Sequence, residues 1–241
     1  MAPPRFKILA KELTPPIIYK FLKLNLRRYY GKDGLDQKLE KYLNYRNGYF
    51  VELGANDGIG QSNTFHFEKH KNWRGVLVEP VPHNFLKCKE NRSAQNSIYC
   101  AACVGFDFKE EFVKIVYSNL MSTPIGLESE ILDGALHANS GQDFLPPNEE
   151  IFEFGARART LNELLVQAHA PSIIDLLSLD VEGAEMEVLK GINHDQFKFK
   201  YICIECLGSP EHLDAFLSTR GYKFLERLSV YDYLYRLEPA R

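Results

Sequence analysis

The chain has 241 residues, of which 45% are hydrophobic and 25% charged, and its formal net charge is −3. These values are typical of one large soluble domain, or of a domain with an extension; they exclude a small disulfide scaffold and give no indication of nucleic-acid binding. No signal-peptide pattern opens the chain and no apolar run approaches the roughly 20 residues of a membrane span, so we expect a soluble, cytoplasmic protein.

The first 32 residues form a basic segment, with eight Lys or Arg against one acid, Glu12. Apolar residues alternate with these charges from Ile17 to Leu26 and partly fit a helix that begins at Thr14-Pro-Pro. Such a helix can bind an anionic membrane surface or glycan, or it can pack on the core or on a second subunit of a homo-oligomer. With a second helix over 35–45, residues 1–47 are predicted to be a basic helical N-terminal extension.

From residue 48 onwards, strands alternate with helices. Short apolar and β-branched runs predict strands at 49–53, 74–79, 97–104, 173–179 and 201–205, with helices at 62–71, 83–91, 184–190 and 210–219 between or after them. A closing hairpin is predicted over 222–227 and 231–237. This order indicates an α/β fold, residues 48–241, with a parallel sheet, helices on both faces and ligands at the carboxyl ends of the strands.

Residues 106–160 interrupt this alternation of strands and helices. Residues 112–117 alternate like a strand, but the segment from 121 to 154 is rich in Gly, Ser, Pro, Asn and acids. Long irregular insertions are usually binding loops or lids, so we expect this one to contact the substrate. The alternation of helices and strands resumes at Thr160. Thr160 and Glu163 form a predicted capping box at the start of a helix.

Five cysteines occur in the chain: Cys88, Cys100, Cys103, Cys203 and Cys206. Four of them form two Cys-x-x-Cys pairs, a spacing typical of zinc sites. Both pairs lie in hydrophobic strand-like runs that lack the turn residues of a zinc knuckle. We therefore expect buried free thiols and a reducing compartment.

Four predicted strands end in carboxylates at the same edge of the sheet: Glu52, Glu79, Asp180 and Glu205. The first strand runs into a glycine turn, Gly54, Gly58 and Gly60, which lets the backbone pass close to a ligand. The order of these glycines is not the G-x-G-x-x-G of dinucleotide-binding folds. S-adenosylmethionine fits better, with its carboxylate on the turn amides and its ribose at Glu79.

Four stretches of the sequence, 51–58, 75–80, 160–164 and 179–191, resemble the motifs of the FkbM family of S-adenosylmethionine-dependent methyltransferases. The stretch Asp180-Val-Glu-Gly-Ala-Glu185 is the most specific. The resemblance implies the Rossmann-like class I methyltransferase fold, a seven-stranded, mostly parallel sheet with an antiparallel last strand. It also implies O-methylation of sugars or polyketide-type products. The predicted cofactor-binding residues are Glu52, Gly54, Ala55, Asn56, Asp57, Gly58, Glu79, Pro80, Ala101, Ala102 and Asp180, with the ammonium near Glu52 or Asp57 and the adenine near Ala101 and Ala102.

Methyl transfer to an alcohol requires a general base, because an alcohol is a poor nucleophile at neutral pH. Asp180 is the first candidate, with Glu182 beside it and Glu205 after the next strand. Related sugar methyltransferases imply a magnesium ion held at the positions of Asp180 and Glu205, but Cys206 stands where a second adjacent acid would help, so metal dependence stays open.

Several other residues have two possible roles, one functional and one structural. His66, His83, His137 and His212 are alternative bases or ordinary histidines, and Gln61, Ser62 and Asn63 either contact the substrate or cap a helix. Glu182 and Glu185 can instead stabilise the start of a helix. The predicted activity is O-methylation of a sugar or glycan hydroxyl; the alternatives are a polyketide or other small-molecule acceptor, and a non-catalytic adenosylmethionine-binding module.

Overall fold

The protein is described by a computed structural model that covers residues 28–127, 134–145, 147 and 149–239. The α-helices within these residues are α1 (Leu35–Glu40), α2 (Phe65–Lys71), α3 (Pro82–Asn91), α4 (Gly134–Ser140), α5 (Leu161–Gln167), α6 (Glu185–Lys190) and α7 (Glu211–Ser218). The strands are β1 (Tyr49–Leu53), β2 (Arg74–Val78), β3 (Ser97–Tyr99), β4 (Ala102–Cys103), β5 (Phe112–Tyr117), β6 (Thr123–Ile125), β7 (Phe152–Arg159), β8 (Ile173–Leu179), β9 (Lys198–Glu205), β10 (Tyr222–Arg227) and β11 (Asp232–Leu237).

The main sheet has seven strands in the order β10-β11-β9-β8-β1-β2-β3. Strands β3, β2, β1, β8 and β9 are parallel, whereas β11 is antiparallel to both β9 and β10. The chain builds outward from β1 to β3 and then returns to the other side of β1 with β8 and β9. The strand order therefore reverses between β1 and β8, the place where open α/β sheets bind ligands.

Adjacent side chains of the central strands pack on opposite faces of the sheet. In β1, Val51 joins a core with helices α5, α6 and α7, and Phe50 joins a second core with α1, α2 and α3. The same alternation occurs in β2 at Val76 and Leu77. Strands covered on both faces are continuously apolar, which is why the sequence predicts them well. The predicted seven-stranded class I methyltransferase fold is confirmed.

The insertion is more regular than the sequence indicates. Strands β4, β7, β5 and β6 form a second, four-stranded sheet in that order, with a small core around Val104, Val113, Ile115 and Ala156. The predicted third strand, 97–104, is divided between the sheets, because β3 pairs with β2 and β4 pairs with β7.

Several predicted boundaries also differ. Helix α1 ends at Glu40 rather than at residue 45, and α2 begins at Phe65 rather than at residue 62. Four of the five free cysteines are buried, but Cys100 is exposed. The predicted helix between Thr14 and Leu26 lies outside the described residues, so its contact with an anionic surface stays a prediction, as does a homo-oligomer. No helix in the described part of the chain is long and apolar enough to cross a membrane.

A buried ion pair holds the loop after β1 against helix α3. The Arg92 guanidinium lies 3.2 Å from the Glu52 carboxylate and 2.7 Å from that of Glu68. It also donates to the Gly58 carbonyl oxygen at 3.1 Å and to the Thr64 hydroxyl at 2.9 Å. Because Arg92 is only 4% exposed, every donor that loses its partner would be left without water.

We expect Arg92→Met to lower the free energy of unfolding by about 3–5 kcal/mol, because it leaves Glu52 charged, buried and without its ion pair. Urea denaturation followed by circular dichroism measures the change. The double variant Glu52→Gln/Arg92→Met should recover part of the loss, and Lys87→Met, at an exposed position of α3, is the control. A loss no larger than that of Lys87→Met would contradict the expected role of the pair.

Candidate functional site

A cavity of about 480 Å³ opens at the carboxyl ends of β1, β2, β8 and β9, beside the strand reversal. Its volume is in the range of small-molecule sites. Residues of the main sheet form one part of the wall, and residues of the insertion form the other. The predicted site residues that line it are Glu52, Gly54, Ala55, Asn56, Gln61, Ser62, Asn63, Glu79, Pro80, Ala101, Ala102, Asp180, Glu182 and Glu205. Asp57 and Gly58 are not among the lining residues.

The floor of the cavity depends on a close backbone approach at Gly54. Gly54 has a φ of +75°, and a Cβ at this position would overlap the carbonyl oxygen of Asp180. The amides of Gly54 and Ala55 both donate to the Val78 carbonyl oxygen at 3.1 Å. A residue without Cβ thus allows the ends of β1, β2 and β8 to meet at one point.

Glu79 lies at the end of β2, on one side of this floor. Its carboxylate accepts hydrogen bonds from the Asn56 amide at 2.7 Å and from the Val81 amide at 2.9 Å. Burial raises the pKa of Glu79 to about 7, although both amides oppose the shift. Each carboxylate oxygen accepts one of these bonds, and a carboxylate has about four acceptor positions, which leaves acceptor capacity for hydroxyl groups of a ligand.

Glu52 has a different environment from the one predicted. Its carboxylate accepts hydrogen bonds from the Ser62 hydroxyl at 2.9 Å, the Asn63 amide at 2.9 Å and the Thr64 hydroxyl at 2.6 Å, in addition to the Arg92 pair. These contacts organise the loop that precedes α2. In this structure the Glu52 carboxylate is therefore engaged by the protein itself rather than open to an ammonium group.

Asp57 and Gly58 support the same loop from outside the cavity. The Asp57 carboxylate accepts hydrogen bonds from the Ile59 amide at 2.9 Å and the Gly60 amide at 2.7 Å. A side chain at Gly58, which has a φ of +81°, would meet Arg92 and Cys88. Both residues thus stabilise the loop from outside the cavity.

The polar residues Gln61, Ser62 and Asn63 line the cavity, and one of them, Ser62, also binds amides at the start of α2. The Ser62 hydroxyl accepts hydrogen bonds from the amides of Thr64 and Phe65 at 3.2 and 3.0 Å. The Asn63 side-chain amide donates to the Ser178 hydroxyl at 3.1 Å, which joins this loop to β8. Contact of these residues with the substrate stays a prediction, and only Ser62 of the three binds amides at the start of the helix.

Three acids form a cluster on the opposite side of the floor from Glu79. Asp180, Glu182 and Glu205 each place a carboxylate oxygen within 4.8 Å of the others. Asp180 is exposed where it lines the cavity, yet desolvation by the surrounding protein, together with the neighbouring Glu205 and Glu182, raises its pKa well above the usual range. Burial and Glu182 also raise the pKa of Glu205 to about 7. Asp180 and Glu205 therefore tend to share a proton.

The insertion contacts this cluster through a histidine. His137, on α4, places its Nε2 2.8 Å from Oε2 of Glu182. Glu182 itself has a φ of 55°, a conformation that non-glycine residues rarely adopt. Of the four histidines considered as bases, His137 lines the cavity, whereas His66 is buried beside Arg28 and His83 contacts Tyr117. His212 is on α7 and is not a lining residue.

Sequence reasoning did not identify the rest of the wall. The insertion contributes an apolar surface, and the cavity mouth has polar and aromatic residues from distant segments. These residues include Ile115, Leu120, Met121, Pro124 and Leu127 from the insertion, and Lys32, Leu207 and Tyr231 near the mouth. Ile115 was within a predicted strand, but no local signal places Lys32 or Tyr231 beside the acids.

A family model described as the methyltransferase FkbM domain matches residues 52–224. The chain belongs to this family. The match confirms the predicted membership of the FkbM family of S-adenosylmethionine-dependent methyltransferases, and Lys32 lies outside the matched residues. A search of the curated proteins gave no significant match.

The chain is similar, at low identity, to several solved methyltransferase structures. A SAM-dependent methyltransferase from Aquifex aeolicus is 8% identical, with 83% of this chain and 88% of that chain covered and a TM-score of 0.42. A precorrin-6y C5,15-methyltransferase from Geobacter metallireducens is 11% identical, with 84% and 86% covered and a TM-score of 0.40. An S-adenosylmethionine-dependent methyltransferase from Clostridium acetobutylicum is 8% identical, with 98% of each chain covered and a TM-score of 0.40. Similarity this low carries no information about the acceptor.

We expect the affinity for S-adenosylmethionine to depend on pH through Glu79. Ribose hydroxyls donate to a carboxylate, so binding favours the charged form, and a pKa near 7 in the free protein means that binding tightens as the pH rises through 7. Calorimetry should show up to about a tenfold gain between pH 6 and pH 8. Glu79→Gln should bind more weakly and lose this part of the dependence; an identical pH profile in the variant would contradict the assignment.

Proposed function

We propose that the protein transfers the methyl group of S-adenosylmethionine to a hydroxyl of a sugar or glycan. The observation that carries the proposal is the position of Glu79 on one side of a single cavity and of Asp180, Glu182 and Glu205 on the other. The first can hold a nucleoside, and the second group can accept a proton from an alcohol. The narrow floor at Gly54 lies between them.

S-adenosylmethionine would lie across the ends of β1 and β2. Its ribose hydroxyls bind the Glu79 carboxylate, and its adenine lies near Pro80, Ala101 and Ala102. The Gly54 turn contacts the methionine part, whose ammonium must find acceptors other than the saturated Glu52 carboxylate. Bound in this way, its sulfonium would lie toward the acidic side of the cavity, where carboxylates would stabilise the positive charge.

The acidic cluster supplies the base. As the acceptor oxygen bonds to the methyl carbon, the carbon–sulfur bond breaks, its electron pair stays on sulfur and adenosylhomocysteine is released. The hydroxyl proton passes to a carboxylate of the Asp180–Glu205 pair, with Asp180 as the first candidate. A base with a pKa near 7, as burial and Glu182 produce for Glu205, suits proton transfer at neutral pH.

The same acids are a chemically suitable set for a hard divalent cation. Magnesium prefers oxygen ligands, and Asp180 and Glu205, joined by Glu182, would hold it in this cavity. The ion would supply positive charge near the developing alkoxide. Without it, the protein's own residues still bind, orient and deprotonate the acceptor.

One observation favours a second acceptor class. The insertion presents Leu120, Met121 and Leu127 to the cavity, an apolar surface that also suits a polyketide or another small apolar molecule. A screen of O-glycosides and apolar alcohols with labelled S-adenosylmethionine, run with EDTA and with magnesium, separates the acceptor classes and tests metal dependence. Cofactor binding without methyl transfer to any hydroxyl would overturn the proposal in favour of a non-catalytic binding module.

We expect Asp180→Asn to lower kcat by about 10²–10⁴-fold, because the amide cannot accept the hydroxyl proton. The affinity for S-adenosylmethionine, measured by calorimetry, should stay within about threefold of the original value, since the amide keeps the shape of the side chain. Retained turnover would assign the base to another residue, with Glu205 next in order.

We expect His137→Ala to raise the KM for the acceptor by about tenfold, because α4 loses its contact with the Glu182 carboxylate, the contact that joins the insertion to the acids. The affinity for S-adenosylmethionine should be unchanged. His212→Ala, at an exposed position outside the cavity, is the matched control. A fall in kcat at constant KM would instead assign His137 to proton transfer.

A further inference from the structure

The mouth of the cavity is built from three segments that are distant in the chain. They are the 3-10 helix Lys32–Gly34, the loop at Gln61 and the hairpin turn that carries Tyr231. Gly31 and Gln61 form an isolated parallel bridge, which fixes the first segment to the glycine loop. The Lys38 ammonium donates to the Leu228 carbonyl oxygen at 2.6 Å, which fixes it to the hairpin. Lys32 is therefore held at the site by its neighbours on both sides.

The charge of the cavity is strongly unequal. Its lining residues in the described part of the chain include five carboxylates, Glu52, Glu79, Asp180, Glu182 and Glu205, and a single Lys or Arg, Lys32. Glu52 already pairs with Arg92 and Glu182 with His137. An acceptor that carried negative charge would be repelled by such a wall unless a cation received it.

Lys32 is free to act as that cation. It is exposed, and within the described residues it forms no ion pair within 4.0 Å. Asp232 is a nearby acid. Burial raises the pKa of its carboxyl group. The hydrogen bond that the Ser229 hydroxyl donates to this carboxyl group opposes the rise, as does the positive charge of Lys32. The Asp232 carboxylate accepts a hydrogen bond from the Ser229 hydroxyl and, among the described residues, forms no ion pair within 4.0 Å with Lys32, so the donors of the Lys32 ammonium stay available.

Tyr231 provides a second contact at the same mouth. Its backbone is fixed, because its carbonyl oxygen accepts from the Cys206 amide at 2.8 Å and its amide donates to the Ser229 hydroxyl at 3.1 Å. The residue is 44% exposed, and its ring has no ring partner among the described residues. An exposed aromatic ring beside a polar site suits a ring-shaped ligand with one apolar face, such as a sugar.

We propose that the acceptor is a sugar with an anionic group, a carboxylate or a phosphate, which binds Lys32 while the sugar ring lies against Tyr231. This inference rests on the proposed function, because it names the acceptor of the same site. The anion stays at the mouth, and the hydroxyl to be methylated reaches inward to the acids. Lys32 and Tyr231 both lie outside residues 52–224, the part of the chain that the family model matches.

The test is a binding experiment on the full chain saturated with adenosylhomocysteine. Three probes are compared by calorimetry or ligand-observed NMR: methyl glucoside, methyl glucuronide and glucose 6-phosphate. At least one anionic probe should bind about fivefold or more tightly than the neutral one, a preference that falls with added salt. A comparison of the affinities for methyl glucuronide and glucose 6-phosphate shows whether the site prefers a carboxylate or a phosphate.

Variants assign the preference to its residues. Lys32→Met should remove the preference for the anionic probes and Lys32→Glu should reverse it, while Lys41→Met, at an exposed position outside the cavity, should leave it unchanged. Tyr231→Ala should weaken all three probes. Equal binding of the neutral probe, no binding of either anionic probe, or a preference that persists in Lys32→Met would each overturn the inference.

The outcomes also separate this inference from the proposed function. Methylation of neutral glycosides at a rate unaffected by Lys32→Met would keep the proposed function and overturn the anionic acceptor. Lys32-dependent binding of an anionic sugar without methyl transfer to any hydroxyl would keep the acceptor site and overturn the reaction.

Discussion

The close approach between Gly54 and the carbonyl oxygen of Asp180 is the constraint on which the site depends. Any side chain at position 54 would overlap that oxygen and separate the ends of β1 and β8. With glycine there, the amides of residues 54 and 55 also reach the Val78 carbonyl oxygen, so that three strand ends meet. This meeting point brings Glu79 and Asp180 to opposite sides of one cavity, which is the arrangement that a nucleoside cofactor and a reacting hydroxyl both require.

Burial gives the two sides their different chemistry. Glu79 is buried and accepts two backbone hydrogen bonds, so its pKa stays near 7 and it can still become a charged acceptor for hydroxyl groups. Asp180 and Glu205 lie close to each other and to Glu182, and repulsion adds to desolvation in raising their pKa values. An acidic pair that holds one proton in this way is suited to exchange a proton with an alcohol. The His137 contact links the protonation chemistry to the insertion that covers it.

The main sheet and the position of the cavity could be predicted, because both depend on local sequence. The continuous apolar runs of the central strands predicted the main sheet, and the acids at their ends predicted the edge where the cavity lies. The role of Glu52 was not predictable in the same way, because its partners Ser62, Thr64 and Arg92 are 10, 12 and 40 residues away. The sequence of strand β7 does contain a strand pattern, because every second residue is apolar: Phe152, Phe154, Ala156 and Ala158. The polar residues around this strand made the segment resemble an irregular loop. Lys32 and Tyr231 reach the mouth only through the packing of three separate segments.

The decisive measurement is the structure of the protein with bound adenosylhomocysteine, because each part of that molecule is expected at a named wall of the cavity. The ribose hydroxyls should lie within hydrogen-bonding distance of the Glu79 carboxylate, the adenine should lie against Ala101 and Ala102, and the sulfur should face Asp180. A ribose bound to another acid, or a sulfur directed away from Asp180 and Glu205, would contradict this assignment.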